Sequence, residues 1–214
     1  MTIITFKGKI CLDIAYMERQ FWNTRYSEHD FVYGKAPNQF FKQFIDTHKP
    51  GTILLPAEGE GRNSRYAASK GWRVDAFDFS EVATAKALKL TESLRPSINY
   101  WTQDIATFKA TKRYDAVALI YVHLPQALRQ VFHEEVFNAL QSGGFLVFEA
   151  FAKEQVNMKS GGPKDLSLLY DAPSICSDFP FLHLLSCGQK EIELNEGEFH
   201  KGKATVLQLI GQRL

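Results

Sequence analysis

Short apolar runs alternate with helix-like segments about five times between residues 38 and 151. We interpret five of these runs as strands, at 52–55, 72–77, 97–101, 114–122 and 145–151. The fourth is almost entirely apolar, as expected for a central strand that is covered on both faces. This alternation predicts an α/β chain, in which a mostly parallel sheet lies between two layers of helices.

Polar and glycine residues mark the ends of the intervening helices. Ser80 is suited to cap a helix at 80–94, because its hydroxyl can accept a hydrogen bond from the first turn. The pair Gly143-Gly144 is expected to end a helix at 125–140. Each predicted helix is therefore bounded by residues that favour a change of direction.

The C-terminal part of the chain has no helix-like segment between its last two strand-like runs. EIELNEG (191–197) and KATVLQLIG (203–211) alternate like two strands with only a short turn between them. We expect an antiparallel hairpin that completes a seven-stranded sheet. A parallel sheet ending in such a hairpin is not the usual arrangement of dinucleotide-binding proteins.

Composition limits the classes of protein to consider. The chain has 214 residues, and its 25 basic and 24 acidic residues give a formal net charge of +1. This balance disfavours a nucleic-acid-coating protein, and the roughly 18-residue apolar run of a membrane helix is absent. We expect one cytoplasmic domain at 17–214, as a monomer or homodimer without metal, nucleic-acid or membrane partners, and an N-terminal extension at 1–16.

A glycine turn follows the first predicted strand. The stretch L54-L55-P56-A57-E58-G59-E60-G61-R62-N63 leads from that strand into a helix, where nucleotide-like ligands are commonly held. Two glycines alone are weak support for a cofactor site. However, Asp78 follows the second strand 19 residues after Gly59, close to the spacing of an acid that binds ribose. Asp104 follows the third strand at the same predicted edge.

The charge of this turn distinguishes between anionic and cationic candidate ligands. Glu58 and Glu60 would repel a pyrophosphate by several kcal/mol if they were poorly solvated. S-adenosylmethionine carries a sulfonium and an ammonium group, which an acidic turn suits. Arg62, or a free backbone N–H of the next helix, could bind its carboxylate. We therefore expect a cationic adenosyl cofactor.

These motifs resemble those of class I S-adenosylmethionine-dependent methyltransferases, which have a Rossmann-like fold. The chain is most similar to the small bacterial group that includes tellurite-resistance methyltransferases and, more distantly, thiopurine methyltransferases. The resemblance covers about residues 20–214 and is carried by segments 21–41, 58–63, 78–80 and 196–204. The family turn reads approximately Asp-Leu-Gly-Cys-Gly-x-Gly, so this chain departs from it at Leu55, Ala57 and Glu58, and we interpret Glu58 as replacing the missing acid.

The resemblance implies a set of site residues. Residues 17–45 would form a lid, with 22–34 folded over the cofactor. Asp78 would bind the ribose, with Asp104 and Ile105 at the adenine. The residues implied in cofactor binding are Trp22, Tyr33, Gly34, Glu58, Gly59, Glu60, Gly61, Arg62, Asp78, Phe79, Ser80, Asp104, Ile105, Ile120 and Tyr121.

Tyr33 and His123 are the candidate catalytic residues. His123 would act as a general base if the acceptor were a neutral hydroxyl or amine. Each site residue also has a structural interpretation: Asp78 and Asp104 as helix caps, the lid aromatics as packing in an irregular segment, and His123 as a satisfied histidine at a helix start. The other histidines considered are expected to be structural or exposed, without visible partners: His29, His133, His183 and His200.

The predicted function is methyl transfer to a small molecule, such as a thiol or a chalcogen oxyanion. Two alternatives stay open at this point. One is a non-catalytic module that binds an adenosyl cofactor. The other is a nicotinamide-dependent oxidoreductase, which the missing third glycine and the terminal hairpin disfavour.

Overall fold

A single seven-stranded sheet organises the part of the chain that the computed structural model describes, residues 18–94 and 97–214. The predicted extension at 1–16 lies outside these residues, as does the first residue of the predicted lid. The strands, numbered along the chain, are β1 (Thr52–Pro56), β2 (Arg73–Asp78), β3 (Ile98–Thr102), β4 (Tyr114–Ile120), β5 (Leu140–Phe151), β6 (Leu182–Asn195) and β7 (Lys201–Arg213).

The order across the sheet is β3-β2-β1-β4-β5-β7-β6. The first five strands are parallel, and β7 pairs antiparallel with both β5 and β6. The predicted Rossmann-like α/β fold with a terminal antiparallel hairpin is therefore confirmed. The strand order reverses between β1 and β4, which is where open α/β sheets bind their ligands.

Helices cover both faces of the sheet. The described chain is helical at 18–28 (α1), and the later helices are α2 (Gln39–Thr47), α3 (Arg62–Ser69), α4 (Glu81–Leu90), α5 (Gln126–Ala139) and α6 (Ala172–Asp178). Ser80 caps α4 as predicted, because its hydroxyl accepts a hydrogen bond from the N–H of Ala83. No helix in the described ranges is long and apolar enough to cross a membrane.

Successive residues of β1 show how the three layers form. Leu54 packs in one buried cluster, with Val117 and Phe132, while Ile53 and Leu55 pack in a second cluster on the opposite face. Side chains alternate across a strand, so an apolar run buries both faces at once. This is the sandwich that the sequence predicts.

Three predicted boundaries were wrong. The hairpin strands are longer than 191–197 and 203–211, and β5 begins at Leu140, so Gly143 and Gly144 lie within β5 and do not end a helix. Residues 18–28 are helical and not irregular. At the end of the predicted lid, Phe41, Phe44 and Ile45 of α2 are buried in the core.

Candidate functional site

The glycine turn at 59–61 lies at the carboxyl end of β1. Gly59 and Gly61 have φ angles of 67° and 86°, a region that side chains rarely adopt. A Cβ atom on Gly59 would lie 2.9 Å from the hydroxyl oxygen of Tyr26, and one on Gly61 would lie 2.9 Å from the Cβ of Ala87. The turn therefore requires glycine both for its backbone conformation and for its close packing.

Asp78 lies beside this turn, at the end of β2. Its Oδ2 accepts a hydrogen bond from the N–H of Gly59 at 2.9 Å, and its Oδ1 accepts one from the N–H of Ser80 at 2.8 Å. Burial raises the pKa of Asp78 to about 6, against the lowering effect of these backbone hydrogen bonds. The structure thus brings together the glycine turn and the acid that the sequence assigns to ribose.

The two glutamates of the turn bind protein groups. Glu58 accepts hydrogen bonds from the N–H of Ser64 at 2.6 Å and from Asn63 Nδ2 at 3.1 Å, so it caps the start of α3. Glu60 accepts from the N–H of Val32 at 2.8 Å and pairs with Lys86 at 2.9 Å. Burial raises the pKa of Glu58 to about 7. These carboxylates therefore shape the turn through protein contacts, and their predicted contact with a cationic cofactor stays a prediction.

The guanidinium of Arg62 also binds protein groups. Its Nη2 pairs with Glu196 Oε2 at 2.9 Å, and its Nη1 donates to the carbonyl oxygen of Tyr33 at 3.2 Å. All the charged atoms of this pair are largely buried. The guanidinium therefore joins α3 to the turn between β6 and β7, and its predicted binding of a ligand carboxylate stays a prediction.

Residues of the predicted lid lie over the glycine turn. The rings of Trp22 and Tyr26 stack with centroids 5.6 Å apart, and Tyr26 reaches Gly59. Asn23 accepts a hydrogen bond from the hydroxyl of Ser80 at 2.6 Å. Gly34 lies elsewhere, against the backbone of the β6–β7 turn at Gly197. The segment thus contacts both the glycine turn and the terminal hairpin.

The predicted adenine residues lie at the β2 and β3 end of this edge. Asp104 caps a 3₁₀ turn through the N–H of Ala106, at 2.9 Å, and lies 3.6 Å from Arg19. This contact matches the structural interpretation of Asp104. Ile105 and Phe79 are both partly buried at this edge.

A cluster of packed aromatic rings, here called the aromatic compartment, lies beyond β4 and β5 and is formed by Tyr33, Tyr121, His123, Phe151 and His200. The ring of His200 is 4.5 Å from that of Tyr33 and 4.7 Å from that of Tyr121, and Tyr121 stacks on Phe151 at 4.7 Å. Tyr121 follows Ile120, the last residue of β4, with a φ angle of 56°. Its buried hydroxyl makes no hydrogen bond with the described residues.

His123 has the contacts of a structural histidine. Its Nδ1 lies 2.8 Å from the carbonyl oxygen of Leu168, and its Nε2 lies 3.4 Å from the backbone N–H of Phe151. The first contact requires a proton on Nδ1, and the second requires a lone pair on Nε2. Burial lowers the pKa of His123 to about 4. Both ring nitrogens are therefore engaged by backbone, which leaves neither free for acid–base chemistry in this arrangement.

Sequence reasoning missed the contacts of three other histidines. His200 is buried and lies 3.4 Å from Glu196, and His133 is buried with its Nδ1 3.1 Å from Asp178. His29 lies 3.5 Å from Glu198. The expectation that these histidines have no partner was wrong. The segment 196–204 contains both Glu196 and His200 and was singled out by its motif. Their spacing of four residues did not indicate that a hairpin turn brings them together.

Comparisons with known proteins agree with this arrangement. Residues 53–144 match the sequence profile of a family described as a methyltransferase domain. No curated protein sequence matches the chain. Among solved structures, 1,6-didemethyltoxoflavin-N1-methyltransferase from Burkholderia thailandensis is similar, with a TM-score of 0.73, 14% identity, and coverage of 94% of this chain and 89% of that chain. It was solved with 1,6-didemethyltoxoflavin and S-adenosylhomocysteine bound.

Two further structures have the same fold. TehB from Haemophilus influenzae gives a TM-score of 0.70 at 16% identity over 83% of this chain, which spans only 63% of TehB. The N-methyltransferase NodS from Bradyrhizobium japonicum gives a TM-score of 0.64 at 13% identity, covering 82% of this chain and 92% of NodS. At these identities the likeness concerns the fold.

Proposed function

We propose that this chain, which has the fold of class I S-adenosylmethionine-dependent methyltransferases and matches a methyltransferase family over residues 53–144, methylates a small molecule held in the aromatic compartment. One observation carries the proposal. The glycine turn, the buried Asp78 and the aromatic compartment line neighbouring positions along one edge of the sheet. A cofactor and an acceptor could thus be held side by side.

The glycine turn and Asp78 fit an adenosyl cofactor. We assign the backbone of the turn to the methionine part, and the Asp78 carboxylate, which also holds Gly59, to the ribose hydroxyls. When bound, the cofactor supplies a methyl group on a positively charged sulfur. The protein's part is mainly alignment of the acceptor, which is worth up to roughly 7–11 kcal/mol in well-oriented reactions.

The sheet order suggests which side each ligand occupies. Asp78, Phe79 and Asp104 follow β2 and β3, on one side of β1, whereas Tyr121 and Phe151 follow β4 and β5 on the other. We therefore assign the adenosine to the first side and the acceptor to the second. Aromatic walls on the acceptor side would exclude water from the attacking atom, which favours an anionic or soft nucleophile.

A thiol or a chalcogen oxyanion suits such a compartment, because either can attack without a strong base. A conjugated heterocycle also suits it, since flat rings pack favourably against aromatic side chains. The non-catalytic module is the alternative that a transfer assay must test. The nicotinamide alternative is set aside, because the antiparallel β7 between β5 and β6 and the family match both indicate a methyltransferase.

A transfer assay with S-adenosylmethionine that carries a deuterated methyl group tests the proposal. The acceptor panel is 4-nitrothiophenol, phenol, sodium tellurite, sodium selenite and 1,6-didemethyltoxoflavin, with mass spectrometry of each product. We expect formation of S-adenosylhomocysteine together with a labelled product from at least one acceptor. Tight cofactor binding without transfer to any member would favour the non-catalytic module instead.

The buried acids make cofactor binding depend on pH. Glu58 and Asp78 have pKa values raised by burial to about 7 and about 6, so their ionised forms become populated as the pH rises through this range. A sulfonium stabilises nearby carboxylates, whereas the neutral sulfur of S-adenosylhomocysteine does not. We expect the affinity for S-adenosylmethionine relative to S-adenosylhomocysteine to increase about fivefold, or roughly 1 kcal/mol, between about pH 5 and about pH 8.

Calorimetric titrations with both compounds across this pH range measure that ratio. Glu58→Gln is the matched variant, because it keeps a carbonyl oxygen as hydrogen-bond acceptor but cannot ionise. In this variant the ratio of the two affinities should change less with pH than in the unaltered protein. If the ratio in the unaltered protein is constant with pH, then Glu58 and Asp78 do not interact electrostatically with the sulfonium.

A further inference from the structure

The turn between β6 and β7 places a histidine and a glutamate inside the aromatic compartment. Glu196 and His200 lie at the two ends of this turn, which the N–H of Glu196 closes by donating to the carbonyl oxygen of His200 at 2.8 Å. The side chain of His200 is only 8% exposed and that of Glu196 is 10% exposed. Both therefore belong to the interior of the site and not to its surface.

The contacts of Glu196 determine which nitrogen of His200 carries the proton. His200 Nδ1 lies 3.4 Å from Glu196 Oε2, and a carboxylate can only accept, so Nδ1 must donate. The carboxylate also pairs with Arg62 at 2.9 Å and accepts from Asn38 Nδ2 at 3.2 Å. Arg62 therefore balances the charge of Glu196, and the neutral ring of His200 is left with a lone pair on Nε2.

The Nε2 atom is the one without an assigned partner. Among the described residues, none forms a hydrogen bond with it, although the ring is enclosed by Tyr33, Tyr121 and Phe151. The Gly161–Gly162 loop closes the same region. A Cβ on Gly161 would lie 2.7 Å from the Cδ2 atom of His200, so glycine allows that backbone to reach the ring.

The charges around the ring keep it neutral. Burial lowers the pKa of His200 first of all, Glu196 raises it, and the cations Arg62 and Arg25 lower it. Arg25 comes from α1, where it also donates to the Tyr33 hydroxyl at 3.5 Å. The other ionisable groups that face the ring are Tyr33, Tyr121 and His123.

We propose that His200 is the general base of the transfer and that Glu196 is its positioning residue. This inference rests on the proposed methyltransferase function and names the acceptor class: a small molecule whose attacking oxygen, nitrogen or sulfur carries a proton. The lone pair of that atom forms the bond to the methyl carbon, and the sulfur–methyl bond breaks with its electrons remaining on sulfur. The proton of the acceptor passes to Nε2, and the resulting imidazolium, held by Glu196, releases it to water.

Two other buried acid–base groups, His123 and Glu149, are already engaged. Both nitrogens of His123 contact backbone. The carboxylate of Glu149 accepts hydrogen bonds from Asn38 and, at 2.6 Å, from Gln208. His200 is therefore the base that the geometry of the compartment favours, and it replaces His123 in the role suggested by the sequence.

The tautomer of His200 can be measured without any acceptor. Nitrogen-15 NMR of the unaltered protein with S-adenosylhomocysteine distinguishes the protonated from the unprotonated ring nitrogen. We expect His200 to be neutral at pH 7 with its proton on Nδ1, and to titrate below the usual value of about 6.5. A proton on Nε2, or a ring that is charged at pH 7, would overturn the proposal even if the enzyme is active.

Kinetics of His200→Gln provide the second test. With phenol or the fastest proton-bearing acceptor of the panel above, we expect kcat to fall about 100-fold. The low-pH decline of kcat should disappear, and the Kd of S-adenosylhomocysteine should stay within about twofold because the cofactor contacts are unchanged. Methylation of 4-nitrothiophenol, which is already an anion at neutral pH, should be nearly unaffected.

His183→Gln is the matched control, because His183 is an exposed histidine on β6 of the same hairpin. It should leave all of these quantities unchanged. Equal kcat and an unshifted pH profile in His200→Gln would refute the role of His200 while leaving methyl transfer intact. A complete absence of transfer by the unaltered protein would instead refute the proposed function, so the two failures are distinguishable.

Discussion

Asp78→Asn is expected to weaken S-adenosylhomocysteine binding about 100-fold, equivalent to roughly 3 kcal/mol. The carboxylate accepts hydrogen bonds from the backbone N–H groups of Gly59 and Ser80, and we assign its remaining lone pairs to ribose hydroxyls. An amide loses the charge of these bonds and turns one acceptor into a donor, which leaves a buried N–H group unsatisfied. The dissociation constant is measured by calorimetric titration.

Asp75→Asn is the control for this variant. Asp75 lies on the same strand, three residues earlier, and bonds to Tyr114 and Lys112 away from the glycine turn. It should bind S-adenosylhomocysteine normally. If folded Asp78→Asn bound within about threefold of the unaltered protein, Asp78 would not be the ribose ligand, and the assignment of the adenosine to the β2 side would fail.

Arg62→Met is expected to lower the free energy of unfolding by about 3–5 kcal/mol. The variant removes the cationic partner of Glu196 and leaves that carboxylate largely buried. It also removes the hydrogen bond to the carbonyl oxygen of Tyr33, which helps to hold the lid segment. Urea unfolding, checked for a single transition, measures the loss.

The double variant Arg62→Met/Glu196→Leu tests whether this loss of stability comes from the unpaired buried carboxylate. Replacing both charges with apolar groups removes the desolvation cost, so most of the stability should return. A single variant that loses less than about 1 kcal/mol, or a double variant no more stable than the single one, would show that the buried pair is not what joins α3 to the hairpin turn.

The same pair defines the pH range in which acid lowers the free energy of unfolding. The charge of Arg62 and the hydrogen bond from His200 lower the pKa of Glu196 to about 2, against burial, from an ordinary value of 4.5. The contribution of the ionised group is therefore complete above the unfolded value and is lost as the pH falls toward the folded one. This behaviour is opposite to that of Glu58 and Asp78, whose raised pKa values make ionisation unfavourable in the unliganded fold.

Local sequence patterns predicted the fold because each depends on residues that are close together in the chain. Apolar runs, the Ser80 cap and the glycine turn each depend on contacts within a few positions. The helix at 18–28 was not recognised, since its aromatic residues Trp22 and Tyr26 suggested an irregular segment and not one face of a helix. The first half of β6 is also hard to recognise, because many of its residues are exposed at the edge of the sheet.

The pairing of charges could not be predicted, because it joins residues far apart in the chain. Arg62 and Glu196 are separated by 134 positions, and Lys86 and Glu60 by 26. Sequence reasoning therefore treated the acidic glycine turn as an open electrostatic site. In the fold its carboxylates hold the helix start and the lid segment.

A crystal structure with S-adenosylhomocysteine would show directly where the cofactor binds. We expect ribose hydroxyls within hydrogen-bond distance of the Asp78 carboxylate, the amino-acid part against the turn at Gly59 and Gly61, and the sulfur directed toward Tyr121 and His200. Electron density for the ligand elsewhere, or with its sulfur toward Asp104 and its adenine in the aromatic compartment, would contradict this binding mode.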